Sequence, residues 1–423
     1  MSNKLIVFED TAFASFFPVT LNRPVFFLRC GALALWEKIA RRFPDYSVSF
    51  ACRDEITGLV RRDTGKRVNH IDYQPGDRLV FVNGALRLGD KLTKELQTID
   101  ENVVYLHNNK TAAMVITQPL SKNPGDVQFT GEAAADAIGT EAKMADGEFE
   151  FYFYLWDLVH NNSNEIAADF VAWFNDEKAK KLIKAADVDD TARILSDENF
   201  YIAPDAAIHA CCVIDNTHGP VIVDSKAVIG PLSYVQGPCY IGPGTQIFRA
   251  NVREGCSFGP TCRVGGEVEE SIFQGFTNKY HDGFMGHAYL GSWVNLGAMT
   301  TNSDLKNNYK NIAVSVNGSM VDSGYNKIGC MVGDHTKTGI GTLINTGVNI
   351  GFSCNIFGGS LVTSREVPSF SWGDETGYDL YRVEKAIEVA KIVMPRRGVP
   401  FTDDDDKIFR AIFDNSTADR VQK

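Results

Sequence analysis

Residues Gly265 to Tyr309 read GGEVEESIFQGFTNKYHDGFMGHAYLGSWVNLGAMTTNSDLKNNY, and the rhythm around this stretch decides the fold. Before it, Val223, Ile229, Val235, Ile241 and Ile247 stand six apart, and Val252, Phe258 and Val264 resume the step after a one-residue slip. Leu290 and Leu296 keep it, and so do Ile344, Ile350, Ile356 and Val362. Many of these residues are followed directly by glycine, as in Ile241-Gly242 and Leu290-Gly291. An aliphatic residue every sixth position, trailed by a turn residue, is the signature of a parallel β-helix. Each hexad is one short strand with a tight turn, and three hexads close a triangular coil. Glycine, asparagine and aspartate carry the backbone round corners that often need positive φ. An antiparallel sandwich would instead alternate by two with irregular turns.

Outward from this stretch, the rhythm begins near Tyr201, where Ile202, Ile208 and Ile214 set it. It breaks at Asn216–Pro220 and again over Asn302–Asn326, a polar segment expected to project as a loop. Beyond the last coil, Glu375–Met394 reads as an amphipathic helix with Leu380, Val383, Ile387 and Ala390 on one face. Asp403–Phe413 reads as a final helix whose N-terminus is capped by the run Asp403–Asp406. At the other end, Lys4–Phe8 is a buried strand and Gly31–Phe43 a helix with Leu33, Leu35, Trp36 and Ile39 inward. Strands are expected at Val48–Cys52, Arg78–Val82 and Val103–Leu106, a helix at Ile166–Ala186, and a polar hinge between 187 and 200. The expected domains are an α/β domain over 1–190, a β-helix over 200–365 and a helical extension over 366–423.

Composition narrows the function. Lys and Arg total 42 against 53 Asp and Glu, a formal charge of −11, which gives no reason to expect nucleic acid or an anionic membrane as partner. MSNKLIVFED lacks the layout of a signal peptide, and no apolar run approaches the ~18 residues that span a bilayer. Nine scattered cysteines, with no CxxC pair, read as reduced thiols, so a cytoplasmic location is expected. No cluster with metal-ligand spacing stands out.

The segment LIVFED…FFPVTLNRPVFFLRCGALALWEKI is similar to the opening of sugar-1-phosphate nucleotidyltransferases. Pro18-Val19-Thr20 is kept, and Arg23-Pro24 stands where Lys-Pro is usual. The loop after the strand, Glu9-Asp10-Thr11-Ala12-Phe13-Ala14-Ser15, has no glycine to let backbone amides wrap a triphosphate. Asn83 replaces the aspartate that holds Mg²⁺ in that family, and asparagine lacks the charge a hard cation prefers. The resemblance thus implies a degenerate or repurposed domain, with Asp10, Arg23 and Asn83 lining its pocket and Mg²⁺ needed only if the domain is active.

The central stretch resembles the acetyltransferase domain of the bifunctional N-acetylglucosamine-1-phosphate uridyltransferase/glucosamine-1-phosphate acetyltransferase family. His281 is followed at the family's spacing by Gly286-His287, then by Asn295-Leu296-Gly297-Ala298-Met299-Thr300 and Asn302-Ser303-Asp304. The resemblance implies a left-handed β-helix, a homotrimer and acyl transfer from acetyl-CoA to an amino or hydroxyl group of a sugar phosphate or nucleotide sugar. By position His281 is the general base, a role that suits an imidazole titrating near neutrality. Asn295 and Asn302 would orient the sugar or the base, with Gly297 at the oxyanion turn and Ala298 in the CoA groove. Lys279, Asp282, Arg249 and Arg253 are the expected substrate contacts. The family places a lysine twelve residues before the histidine to meet the sugar phosphate; here Glu269 occupies that position, and a carboxylate would repel a phosphate. His287 and His335 read as structural, and Trp293 as a packing residue. Two other readings stand beside acyl transfer: a sugar-1-phosphate nucleotidyltransferase using the N-terminal domain, and a non-catalytic trimeric scaffold.

Overall fold

The computed structural model describes residues 2–71, 73–108, 110–118, 143–147, 149–174 and 186–421. The chain divides into two units, one of residues 1–16, 22–28 and 34–153, the other of residues 17–21, 29–33 and 154–423.

The first unit is a six-stranded sheet. Near one edge β1 (Asn3–Phe8) is flanked in parallel by the edge strand β2 (Ser47–Ala51) and by β3 (Arg78–Asn83). The sheet then reverses. β4 (Val103–His107) and β5 (Lys110–Ile116) form an antiparallel pair, β5 joins β3, and β6 (Lys143–Asp146) runs parallel to β4 at the edge. Leu5, Ile6, Val7 and Phe8 are all fully buried, as expected of a strand covered on both faces. Helices α1 (Leu35–Arg41), α2 (Thr57–Thr64) and α3 (Asp90–Thr98) accompany the sheet. α1 is shorter than the expected Gly31–Phe43, because Leu33–Ala34 pairs with Arg29–Cys30 through a turn at Gly31, whose φ is +80°.

The second unit is the left-handed parallel β-helix. One face is a nine-stranded sheet running from Phe200–Ile202 to Glu366–Val367. Its inward residues stack coil upon coil, Ile241 on Phe258 on Phe273 on Leu290 on Val332 on Ile350 on Val367. Each is fully buried, a gain of about 1.5–3 kcal/mol per large side chain. Cys212, Cys239, Cys256, Cys262, Cys330 and Cys354 fill the same prism as small apolar residues, and burial pushes the Cys262 thiol up to about 11. The corners explain the glycine-poor exceptions. At the first corner Thr261, Phe276, Trp293, His335, Ser353 and Phe370 all take positive φ, between 53° and 64°.

The expected boundary near 190–200 is corrected. Asp187–Val188 and Arg193–Ile194 already pair in parallel with Ala207–Ile208 and Val213–Ile214, so the assigned hinge is the first coil. α4 (Leu155–Asp169) also belongs to this second unit, since Ile166 and Phe170 pack against Ile222 and Tyr240 on the nine-stranded face. Most of the rest of the expected helix to Ala186 lies outside the described residues. Asn302–Asn326 is more ordered than a projecting loop, carrying a hairpin of Ala313–Val316 with Ser319–Asp322 and burying Ile312 and Val314. The helix expected from Glu375 starts later. Ser371–Asp374 and Gly377–Leu380 form a hairpin whose turn is held by Asp374 accepting from Thr376, so Leu380 is exposed and α5 spans Val383–Val393. α6 (Asp403–Val421) follows, and the Asp405 carboxylate accepts from both the backbone and hydroxyl of Thr402 at its N-terminus. Among the described residues no helix is long and apolar enough to cross a membrane.

Candidate functional site

The strands Asn278–Lys279 and Phe284–Gly286 both pair with Arg263–Glu269 of the preceding coil, on two different faces. Between them Tyr280-His281-Asp282-Gly283 swings out over the second corner. Two glycines beneath make room. A side-chain carbon on Gly265 would lie 2.0 Å from the Tyr280 carbonyl oxygen, and one on Gly266 would lie 2.7 Å from Lys279 Nζ. The following coil ties the loop from the other side, the Met299 N–H donating to the Asp282 carbonyl at 2.8 Å. Gly283 passes so close to Thr300 that a side-chain carbon would sit 2.2 Å from its carbonyl oxygen. His281 is therefore an exposed imidazole on a firmly tethered loop. Its ring meets Tyr280 edge-on at 5.0 Å, and Tyr280 leans on Phe248 at 4.5 Å.

Several expected partners gather here. Asn295 is exposed on the face carrying Asn278, which donates to its side-chain oxygen at 3.3 Å. Arg397 approaches the same Asn278 at 3.1 Å, and Arg249 and Asp282 are exposed at this corner. Gly297 does not offer its N–H as an oxyanion donor, because that hydrogen is taken by the Thr338 carbonyl and hydroxyl, both at 3.1 Å. The next residue is better placed: the Ala298 N–H has no partner among the described residues.

Three expected contacts are corrected. Asn302 is 1% exposed, its amide accepting from the Gly286 N–H and donating to the Gly286 carbonyl, so it stitches two coils together and orients nothing outside. Lys279 is 2% exposed and points inward, its Nζ donating to the carbonyls of Gly265 and His281. Arg253 sits at the third corner, paired with Glu269 at 2.6 Å. That pairing also removes the expected repulsion: Glu269 is buried, held by Arg253 and Lys327 away from the His281 loop.

The third corner carries a cluster that the sequence reading passed over. His287, assigned there as structural, is buried and places Nδ1 2.8 Å from Asp304 Oδ2. Burial pulls the Asp304 carboxyl up, yet its bond to His287 outweighs this and holds it below the ordinary range. From α4, His160 stacks on Tyr325 at 3.7 Å, bonds the Lys327 carbonyl through Nε2, and lies 5.6 Å from the His287 ring. Burial and the neighbouring His287 bring His160 down to about 4. Ser163 Oγ lies 3.3 Å from a Glu270 carboxylate oxygen, and burial pushes Glu270 up to about 7 against the pull of His287. The signal for His287–Asp304 was a spacing of 17, one coil; His160 comes from outside the repeat and left none. His335 and Trp293 do pack as expected, stacked in an aromatic column with Phe276 and with Phe409 of α6.

In the first unit Asp10 and Asn83 meet at the ends of β1 and β3, the crevice where open α/β sheets bind ligands. The Asp10 carboxylate accepts from Asn83 at 2.9 Å and from the Ala12 N–H at 2.9 Å, and pairs with Lys110 at 3.4 Å. Lys110 in turn lies over the rings of Phe151 and Phe153. The Arg23 carbonyl accepts from Arg53, which pairs with the buried Glu9. Among the described residues no group of three or more His, Cys, Asp or Glu side chains is arranged to hold a metal ion.

Residues 5–178 match the family model described as sugar nucleotidyl transferase. A bifunctional sugar-1-phosphate nucleotidylyltransferase/acetyltransferase of Sulfurisphaera tokodaii is 34% identical over 96 residues, 23% of this chain and 24% of that protein. The bifunctional protein GlmU of Acaryochloris marina is 25% identical over 224 residues, 48% of this chain and 44% of that protein. The alignments thus span less than half of these relatives' own length. Among solved structures, a UDP-N-acetylglucosamine acyltransferase from Campylobacter jejuni aligns with 53% of this chain and 94% of its own, at 15% identity and a TM-score of 0.22. The chain is thus similar to the bifunctional sugar-1-phosphate nucleotidylyltransferase/acetyltransferases over part of its length, and the sugar nucleotidyl transferase family model matches residues 5–178.

Proposed function

We propose that this chain transfers an acyl group from a CoA thioester, acetyl-CoA in the simplest case, to an amino or hydroxyl group of a sugar phosphate or nucleotide sugar. The observation that carries the reading is the exposed His281 imidazole, on a loop hydrogen-bonded at Asp282–Met299 beside the unpartnered Ala298 N–H. The imidazole takes the proton from the acceptor as its nitrogen or oxygen attacks the thioester carbonyl. The developing oxyanion meets the Ala298 N–H, the carbon–sulfur bond breaks, and the CoA thiolate leaves with a proton. Asn295 lies on the same open face, as an acceptor-orienting group would. CoA is polyanionic, and the arginines fit it: Arg397 lies on Asn278, and its charge, after burial, helps to lower the Arg263 pKa.

The complete site is proposed to need a homotrimer. Tyr280, Met299, Ile340 and Phe357 are exposed along the His281 corner on neighbouring coils, Ile340 at 78%. An apolar ridge of this kind marks an interface, and a neighbouring prism would cover it.

The test is acetyl-CoA consumption with a panel of amino and hydroxy sugars, free, phosphorylated and nucleotide-linked. His281→Ala should lower kcat by about 10²-fold or more with acetyl-CoA binding unchanged. An acceptor turned over equally by both proteins would remove His281 from the mechanism, and a protein that binds no CoA would favour the scaffold. The family match over residues 5–178 keeps sugar-1-phosphate nucleotidyl transfer as a second reading, but Asn83 stands where that family has its metal aspartate, and its amide is bonded to Asp10.

A further inference from the structure

A lysine buried to 2% exposure with no carboxylate bonded to it is an expensive feature, and such residues are kept for a reason. Lys279 is the last residue before the corner loop. Its Nζ donates to the Gly265 carbonyl at 2.8 Å and to the His281 carbonyl at 2.9 Å. One ammonium thus joins the floor of the preceding coil to the backbone of the proposed base. The space around it is kept clear by Gly266, at φ +67°, where any side-chain carbon would come within 2.7 Å of Nζ. The charged groups that act on it are Asp282 and Glu267, and burial brings its pKa down to about 8.

We infer that Lys279 is the positioning residue of the acyl-transfer site: through its bond to the His281 carbonyl it holds the imidazole at one place over the open face. The inference rests on His281 being the base. The loop is anchored by Lys279 from inside the prism, by Met299 from the following coil and by the Glu267 N–H, which donates to the Gly283 carbonyl at 3.2 Å. The Met299 bond grips Asp282, one residue past the histidine, and leaves the peptide of His281 itself to Lys279. Without the ammonium that peptide can rotate, and the ring at the loop's tip moves with it. A shift of about 1 Å in a catalytic group costs on the order of 10²-fold in rate.

Two variants strike this contact from opposite sides. Lys279→Met keeps the stem and loses the donors, whereas Gly266→Ala keeps the lysine and crowds both Nζ and the loop backbone at Asp282 and Gly283. Both should lower kcat about 10- to 100-fold while leaving the acceptor KM and the acetyl-CoA Kd within about twofold of wild type. Both should also broaden or shift the ring resonances of His281 in a histidine-labelled sample, read without any acceptor. A variant that loses the fold would lose CoA binding too, and the other variant then decides the matter. If His281→Ala is inactive but both variants that fold retain wild-type kcat and an unchanged His281 resonance, Lys279 is only a structural residue and this inference fails. If His281→Ala is fully active, the reading of the base fails instead, and the resonance still reports whether Lys279 orders the loop.

Discussion

Glu270 and His160 face the same cluster with opposite pKa displacements, and their effects on stability should cancel over a defined window. Glu270 is raised from an ordinary 4.5 to about 7. Its folded form binds the extra proton, so its contribution to stability is whole below pH 4.5 and is lost as pH rises through about 7. His160 is lowered from 6.5 to about 4, so its contribution is whole above pH 6.5 and is lost as pH falls through about 4. Each displacement is near 2.5 pH units, which at 1.36 kcal/mol per unit amounts to about 3 kcal/mol for each group. Between pH 4.5 and 6.5 the two slopes oppose one another. Glu270→Gln removes one of them, keeps an oxygen that can accept from Ser163, and should gain stability relative to wild type as pH rises. The difference in unfolding free energy, measured by urea denaturation from pH 4 to pH 8, should climb by about 3 kcal/mol between pH 4.5 and 7 and be flat on either side. Background titrations shared by the two proteins drop out of that difference. A difference curve without slope would mean that Glu270 is solvated like a surface carboxylate despite its contact with Ser163 of α4.

Other outcomes follow from the same geometry. Gly255→Ala should destabilise the second unit, since a side-chain carbon there would lie 2.0 Å from the Glu270 carboxylate at φ +73°; thermal denaturation checks it, and an unchanged Tm would show that the carboxylate can retreat. Phe273→Ala, which empties a fully buried position in the stacked column, should cost about 3–5 kcal/mol in unfolding free energy, and a loss under 1 kcal/mol would mean the prism can collapse around it. Ile340→Glu should convert the proposed trimer to smaller species by light scattering; a wild-type monomer would refute the trimer itself. Mixtures of hexose 1-phosphates and nucleoside triphosphates with Mg²⁺ should release no pyrophosphate, and release abolished by Asp10→Ala would overturn the reading of the first unit.

The repeat was legible because one physical demand recurs in every coil: an inward aliphatic and a corner. Ile241, Phe258, Leu290 and Ile350 could be assigned from spacing alone, and they lie fully buried in successive coils. The start of the solenoid was not legible, because Val188 and Ile194 stand among Asp187, Asp189, Asp190 and Arg193, and their companions on the core, Ala186 and Ala192, are too small to mark a rhythm. The hairpin at Ser371–Leu380 was missed for a related reason. Leu380 falls in helical step with Val383 and Ile387, and only the Asp374–Thr376 turn breaks that step.

The candidate site shows where linear reading stops. The family's spacing picked out His281, yet Lys279, two positions before it, points inward, because it sits in register with the inward Val264 and the chain leaves the strand directly after it. Read as a sequence, a lysine beside a histidine suggests a hand for phosphate. In the coil its ammonium is enclosed by the Gly265-Gly266 floor, and that pair of glycines was the available signal. Two adjacent glycines leave a strand without side chains on either face, so something else must fill the space. Here the carbonyl of Tyr280 fills one side and the Lys279 ammonium the other, and the loop bearing His281 rests on both. The proposed base was found from the family's spacing. The residues that would fix its position are two glycines and a buried lysine, and their role depends on what the neighbouring coil brings against them.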